Sequence, residues 1–409
     1  MSFVRHSRAS ALGAAIAAIA FTPSLVSADA LTEAITGGKP YVDMRLRYEH
    51  VDLAGTNPSD IAEALTLRTR LGYTTAGYKG FSATIEAEDS RIVGGIGDFK
   101  VGPTGYNTDT QFAIIGDPET TEVDQAFIKY ADDMVTAKLG RQVVTYDGHR
   151  FVGHVGWRQD RQTFDALRVD VKPVDELVLS ATYIDERNRI FAEAADVESS
   201  DYLLNASYQF PIGKLVGYGY FLEVDASDDT LDTVGLSFSG AAKLNDTTKL
   251  LYAAEYAQQE SETGSGSSET DTEYMLVEAG VGVGKFTGKL GYEKLGSDDG
   301  AGGFATPLAT LHKFNGWADQ FLGTPAEGLV DMYVSLAYKL GGGKLVAVYH
   351  DYEADDSSPT VDDLGDEINL LYARKFGKNY SAGIKYAGYS AGDIKVDTDK
   401  TWVWVGLNF

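Results

Sequence analysis

One pattern constrains this chain more than any other: apolar and charged side chains alternate with a period of two, and the pattern returns again and again. From Tyr41 to Val51, Val42, Met44, Leu46 and Tyr48 interleave with Asp43, Arg45, Arg47 and Glu49. Leu65, Leu67, Leu71 and Tyr73 interleave with Arg68 and Arg70, and Phe81, Ala83, Ile85 and Ala87 with Glu86 and Glu88. Successive side chains of a strand point to opposite faces, so this period predicts strands with one apolar and one charged face. Carried along the chain it predicts eighteen strands, near 41–51, 65–73, 81–88, 122–131, 134–143, 162–171, 177–186, 201–210, 214–223, 232–241, 249–258, 272–284, 285–294, 328–340, 344–353, 366–376, 380–389 and 399–409.

A soluble sandwich or propeller would bury one of those faces. Arg45, Arg47, Arg68 and Arg70 in a dry core would each cost on the order of several kcal/mol unless paired. A water-filled barrel interior removes that cost. No apolar run after Ala28 reaches the ~18 residues of a membrane helix, so an exported chain of this kind is either soluble or a membrane β-barrel. The connections favour the barrel. Gly77–Gly80, Lys172–Glu176, Pro211–Gly213, Lys243–Thr247, Gly341–Gly343 and Gly377–Asn379 are short. Between them fall long, polar, acidic segments at 93–121, 144–161, 187–200, 259–271, 295–327 and 354–365. Outer-membrane barrels alternate short periplasmic turns with long outer loops in this way, and an even strand count puts both termini on the periplasmic side. The predicted fold is therefore all-β: a transmembrane antiparallel β-barrel of about eighteen strands.

Export is read at the N-terminus. Arg5, His6 and Arg8 precede the apolar stretch Ala11–Phe21, and Val26-Ser27-Ala28 gives small residues at a cleavage site, the layout of a secretory signal peptide. The expected organisation is a signal peptide over 1–28 and a single outer-membrane barrel over 29–409, in a Gram-negative bacterium. Loss of residues 1–28, which hold two arginines and no carboxylate, takes the formal charge from −25 to about −27. Such a charge works against an extended nucleic-acid surface, and the absence of cysteine excludes disulfides and Cys-ligated metal. The final strand places Thr401, Val403, Val405, Leu407 and Phe409 on one face. A terminal Phe there resembles the assembly signal read by the barrel assembly machinery, and Tyr48 and Tyr73 are expected outside as interface anchors.

Enzyme signatures are missing: H-E-x-x-H and G-x-S-x-G do not occur, and Gly280, Gly282 and Gly284 lie inside a strand pattern. His50, His149, His154, His312 and His350 are read as loop or lumen residues without catalytic work, with a triad or metal cluster as the alternative. No enzyme activity, cofactor or metal is expected. The informative chemistry is the inward charge. Twelve arginines lie between Arg45 and Arg189 and only Arg374 follows. Alternation turns Arg45, Arg47, Arg68, Arg70, Lys129, Lys138 and Arg168 inward against Asp43, Glu49, Glu86 and Glu88. On the far side Glu223, Glu255, Glu278, Glu293 and Asp331 face inward with Lys289. Such walls set a transverse field across a pore. Two readings stay open for the arginines: a ladder for anionic solutes, or internal pairs with lumen carboxylates that fill a plug.

Gly140-Arg141-Gln142, Trp157-Arg158-Gln159-Asp160 and Phe164-Asp165-Ala166-Leu167-Arg168 within 139–168, and a second stretch over 305–319, resemble the alginate export family of outer-membrane barrels. The resemblance implies a monomeric eighteen-stranded pore that passes a polyuronate or another anionic solute down its gradient, with Arg141, Arg158 and Arg168 on an arginine-lined path. Arg141 shares the parity of outward Leu139, so it reaches the lumen only through a bulge such as Gly140 could supply. In the 295–327 segment, Phe314, Trp317 and Phe321 fit one face of a short helix that folds inward and narrows the pore. The acidic segments Glu260–Glu273 and Asp351–Asp366 are expected to be solvated, with divalent cations bridging lipopolysaccharide phosphates as a further reading. Three functions follow: a channel selective for anionic, uronate-type saccharides such as alginate or its oligomers; a general diffusion porin for small hydrophilic solutes; or a plugged barrel acting as an enzyme or surface anchor. Outer-membrane lipid and lipopolysaccharide are the expected surroundings.

Overall fold

The computed structural model describes residues 28–54, 61–102 and 112–409; the predicted signal segment lies almost wholly outside them. Eighteen strands form one antiparallel sheet: β1 (Lys39–Leu53), β2 (Ile61–Thr74), β3 (Phe81–Asp98), β4 (Thr120–Ala131), β5 (Val135–Gln142), β6 (Thr163–Val174), β7 (Leu177–Asn188), β8 (Val197–Phe210) and β9 (Gly213–Val224). The second half holds β10 (Asp229–Lys243), β11 (Thr248–Glu262), β12 (Glu269–Val283), β13 (Phe286–Leu295), β14 (Leu329–Leu340), β15 (Gly343–Ser358), β16 (Val361–Phe376), β17 (Tyr380–Ser390) and β18 (Thr398–Asn408). Each strand pairs with its neighbours in sequence, and β1 pairs with both β2 and β18. Closure satisfies every ladder and leaves no edge, which a strand structure in lipid requires. Phe409 joins the seam, its N–H and C=O both bonded to Val42.

The two faces sort as the alternation predicts. Leu71, Ile85, Ile128, Leu139 and Leu290 are each more than half exposed on the outside, an apolar band that water would not tolerate and lipid does. Arg47, Glu49, Arg68, Arg70, Glu86 and Glu88 are buried on the inside.

Several local expectations need correcting. Residues Ala28–Thr36 form a nine-residue helix, α1, seated by Tyr73, whose hydroxyl donates to the Ile35 carbonyl. Most of 259–271 and 354–365 is strand: β11 and β12 continue to Glu262 and from Glu269, and β15 and β16 leave only two residues between them. Strands of 15 and 16 residues exceed the ~9–11 needed to cross a bilayer, so their acidic ends are hairpins standing in water. Polarity there marks exposure to solvent on extended strands, where a loop was expected. Glu223 shares the parity of Phe221, opposite to the inward Tyr218, Tyr220 and Leu222, and so leaves the acidic wall.

Candidate functional site

The interior is divided. In the half nearer the long loops, segments 112–119, 143–162 and 296–328 fold into the barrel, and the first two meet arginines of β1. Arg45 donates to Gln159 Oε1 at 3.0 Å and to the carbonyls of Gly156, Trp157 and Arg158 at 3.2, 2.7 and 2.6 Å. Arg47 reaches the Trp157 carbonyl and Asp117; Arg68 pairs with Asp43 and Arg70 with Glu88. Arg158 bridges Glu49 and Asp319, 3.0 Å from each, and Arg161 holds Asp124 at 2.6 Å and Glu86. The plug thus takes up Arg45 and Arg47, while wall carboxylates of β1, β3 and β4 hold Arg68 and Arg70. The expectation of water around all of them fails here, because inward loops and facing wall strands supply carboxylates and carbonyls that pair with the guanidiniums.

Trp157 locks the two larger loops together. Its ring stacks on His312 with centroids 4.8 Å apart, and the Lys385 ammonium sits 3.9 Å from its centroid and 4.3 Å from that of Trp317. Lys385 Nζ lies 2.9 Å from His312 Nε2, while His312 Nδ1 lies 2.6 Å from Asp319 Oδ1. An ammonium has no acceptor, so Nε2 must carry a lone pair and Nδ1–H must donate to Asp319. Burial, with Lys385 beside it, pushes His312 down to about 3, which agrees with this neutral tautomer.

The predicted helical stripe Phe314, Trp317, Phe321 is not helical. Only Leu311–Lys313 forms a 3-10 turn, since Asn315, Gly316 and Asp319 all have positive φ. At Gly316 a Cβ would fall 2.2 Å from Glu367 Oε2 and 2.3 Å from the Tyr352 hydroxyl, so only glycine lets the loop pass the wall. The three rings separate: Phe314 lies over Arg150 at 4.8 Å, Trp317 beside Lys385, and Phe321 against Tyr352 at 4.8 Å. The segment nevertheless folds inward, anchored where Ala318 N–H donates to Glu367 Oε1 at 2.8 Å.

Beneath the loops a cavity of about 480 Å³ extends toward the short turns, as far as Thr287, Ala337 and Lys344. Its walls carry aromatic rings that sequence reasoning did not single out: Tyr146, Phe151, Tyr218, Tyr220 and Tyr274. Tyr218 and Tyr220 stack at 4.9 Å, and Phe151 meets Tyr274 edge-on at 5.3 Å. The inward parity of Tyr218, Tyr220 and Tyr274 was available in the sequence. Glu255, Glu278, Glu293 and Asp331 stand on the same side, each held: Glu255 by Tyr218 at 2.8 Å, Glu278 by Lys289 at 2.7 Å, Glu293 by Arg150 at 2.7 Å and Asp331 by His350 at 2.9 Å.

A second row of cations crosses β4, β5 and β6, where Lys129 pairs in register with Lys138 and Lys138 with Arg168. The neighbours Ile128 and Leu139 point outward, which turns this row inward. Arg168 binds Asp170 at 3.0 Å and lies 4.6 Å over Tyr146. Lys138 lies over Phe127 at 5.0 Å. Among the described residues neither Lys129 nor Lys138 has a carboxylate within ion-pair distance.

Arg141 is not part of the lumen. Gly140 takes φ +118°, yet the register on both sides of β5 runs without a shift. Arg141 therefore keeps the outward parity of Leu139, and pairs with Asp165 at 2.8 Å and Glu186 at 3.4 Å.

Comparison with known proteins agrees with this architecture. The family model for alginate export matches residues 42–289; the second resembling stretch, 305–319, lies beyond it. No curated protein matches. Solved structures with the same fold include Pseudomonas aeruginosa OpdK with vanillate, at TM-score 0.71 and 14% identity over 92% of this chain and 99% of that one. Acinetobacter baumannii OccAB3 gives TM-score 0.69 and 15% identity over 92% and 100%, and Pseudomonas aeruginosa OpdQ 0.67 and 16% over 92% and 99%. With a closed barrel, an outer apolar band and a family match over more than half its length, this chain belongs to the alginate export family and is a porin-like channel protein of the Gram-negative outer membrane.

Proposed function

We propose that the barrel passes small anionic ring solutes, uronate-type saccharides foremost, by passive diffusion along the Lys129–Lys138–Arg168 row and the tyrosine-lined cavity. The observation that carries this is the pair of inward lysines, without a carboxylate partner among the described residues, in one row with Arg168, which lies over Tyr146 of the cavity wall. Unpaired cations attract carboxylates, Arg168 adds a planar fork, and aromatic faces suit the apolar faces of sugar rings. A cavity of about 480 Å³ is of the size that holds one small ligand, which favours short oligomers over a threaded polymer. Vanillate, named with the OpdK structure, is also a carboxylated ring. The acidic side, Glu255 and Glu278, facing the cation row supports a second reading, a general porin with a transverse field.

Planar-bilayer recording with uronate disaccharides on one side tests the choice. Selective passage predicts transient, concentration-dependent interruptions of current by uronates and none by a neutral disaccharide of equal size. Equal blockade by both, or by neither, supports the general porin instead.

A further inference from the structure

Glu88 on β3 stands opposite Glu122 on β4 in the strand register, and Asp160 of the inward 143–162 loop reaches the same point. One ligand oxygen from each lies within 4.8 Å of the others. Like charges facing each other across a ladder are unfavourable by themselves. Glu88 and Asp160 are both fully buried, and each keeps an oxygen without a hydrogen-bond partner among the described residues, Oε1 of Glu88 and Oδ1 of Asp160. The other oxygen is engaged in each case: Glu88 Oε2 by Arg70, and Asp160 Oδ2 by the Ala192 N–H at 3.3 Å.

Neighbouring cations do not neutralise the cluster. Arg70 is shared between Glu88 and Asp124, and Arg161 between Asp124 and Glu86; Arg68 is taken by Asp43. Arg70 and Arg161 thus serve Glu86, Glu88 and Asp124, and among the described residues neither forms an ion pair with Glu122 or Asp160.

We propose that Glu88, Glu122 and Asp160 bind a hard divalent cation, calcium above all, that pins the 143–162 loop to the β3–β4 wall. Oxygens on one calcium ion, at about 2.3–2.6 Å from it, lie up to roughly 5 Å apart, which the cluster satisfies. Magnesium, with shorter bonds of about 2.0–2.1 Å and a strict octahedron, suits three carboxylates fixed by two strands and a loop less well. The Ser90 hydroxyl, fully buried on the same face of β3 and without a partner, is a further oxygen of the right kind nearby. The sequence hides this site because its three carboxylates come from two strands and a distant loop, with no ligand spacing.

The test is calorimetric titration of the purified full barrel, in detergent free of lipopolysaccharide at neutral pH, with calcium chloride and separately with magnesium chloride. The proposal predicts one calcium per barrel, bound more tightly than magnesium, and a thermal midpoint that calcium raises and chelator lowers. Glu122→Gln, at the half-buried edge of the cluster, weakens binding at least roughly tenfold while the barrel still folds, and Asp160→Asn does the same. Asp271→Asn, in the β11–β12 hairpin, leaves binding unchanged. No saturable calcium uptake by wild type overturns the proposal. So does uptake that survives Glu122→Gln and Asp160→Asn, or uptake lost in Asp271→Asn. A midpoint that responds to acid but not to calcium overturns it too, showing that protons alone settle the cluster.

Discussion

Two rows of inward cations look alike in the sequence and end in different states. On β1 and β2, Arg45, Arg47, Arg68 and Arg70 are held by loop carbonyls, Asp117, Asp43 and Glu88. On β4 and β5, Lys129 and Lys138 meet no carboxylate among the described residues. Among the described residues the 143–162 loop meets the first row at Arg45 and Arg47, and the second only at Arg168, through the Thr145 carbonyl and the Tyr146 ring. An inward charge is structural where a loop or a wall carboxylate holds it and available to solutes where neither does. Guanidiniums, with five donors in a rigid fork, suit the crowded plug, though the Lys385 ammonium also lies there and Arg168 belongs to the second row.

Removing a cation from the plug should produce the largest effect. Arg158→Ala leaves Glu49 and Asp319 buried with a partner lost, a loss of about 3–5 kcal/mol. Denaturant unfolding should show it, and single-channel conductance should rise as the 143–162 loop loosens. If stability and conductance both stay at wild-type values, the plug is not held by these pairs.

Acid comes next. His312 is neutral in the folded barrel down to about 3, whereas in the unfolded chain it takes a proton below about 6.5. The unfolded state therefore binds more protons between those values, and stability falls as pH drops through that window. Between about pH 7 and pH 4 the wild type should lose roughly 2–3 kcal/mol more than His312→Gln. Equal losses in the two proteins would remove His312 from the latch.

Arg141→Ala should cost no more than about 1 kcal/mol and leave ion selectivity alone, because its pair with Asp165 lies on the outer face. A selectivity change would return Arg141 to the path. Lys138→Gln should be smaller still in stability, within about 0.5 kcal/mol, since it breaks no ion pair.

The contrast also explains what the sequence reveals. Strand number, the inward parity of Arg45 or Glu278 and the outward parity of Leu139 follow from a local period of two, so they can be read directly. The plug cannot, because its bonds are distant: Arg158 meets Glu49 across 109 residues, and Arg150 meets Asn315 across 165. Phe314, Trp317 and Phe321 fit a helical spacing, but positive φ at Asn315, Gly316 and Asp319 sends each ring to a different wall partner. Arg141 was legible in its own parity, and only the family resemblance argued for placing it inside.

The most direct measurement is the reversal potential of the open channel in a potassium chloride gradient, for wild type and for Lys129→Gln combined with Lys138→Gln. Wild type should favour chloride, and the double variant should move clearly toward potassium at similar conductance. An unchanged reversal potential would contradict the account, placing the conducting path away from the β4–β5 lysines.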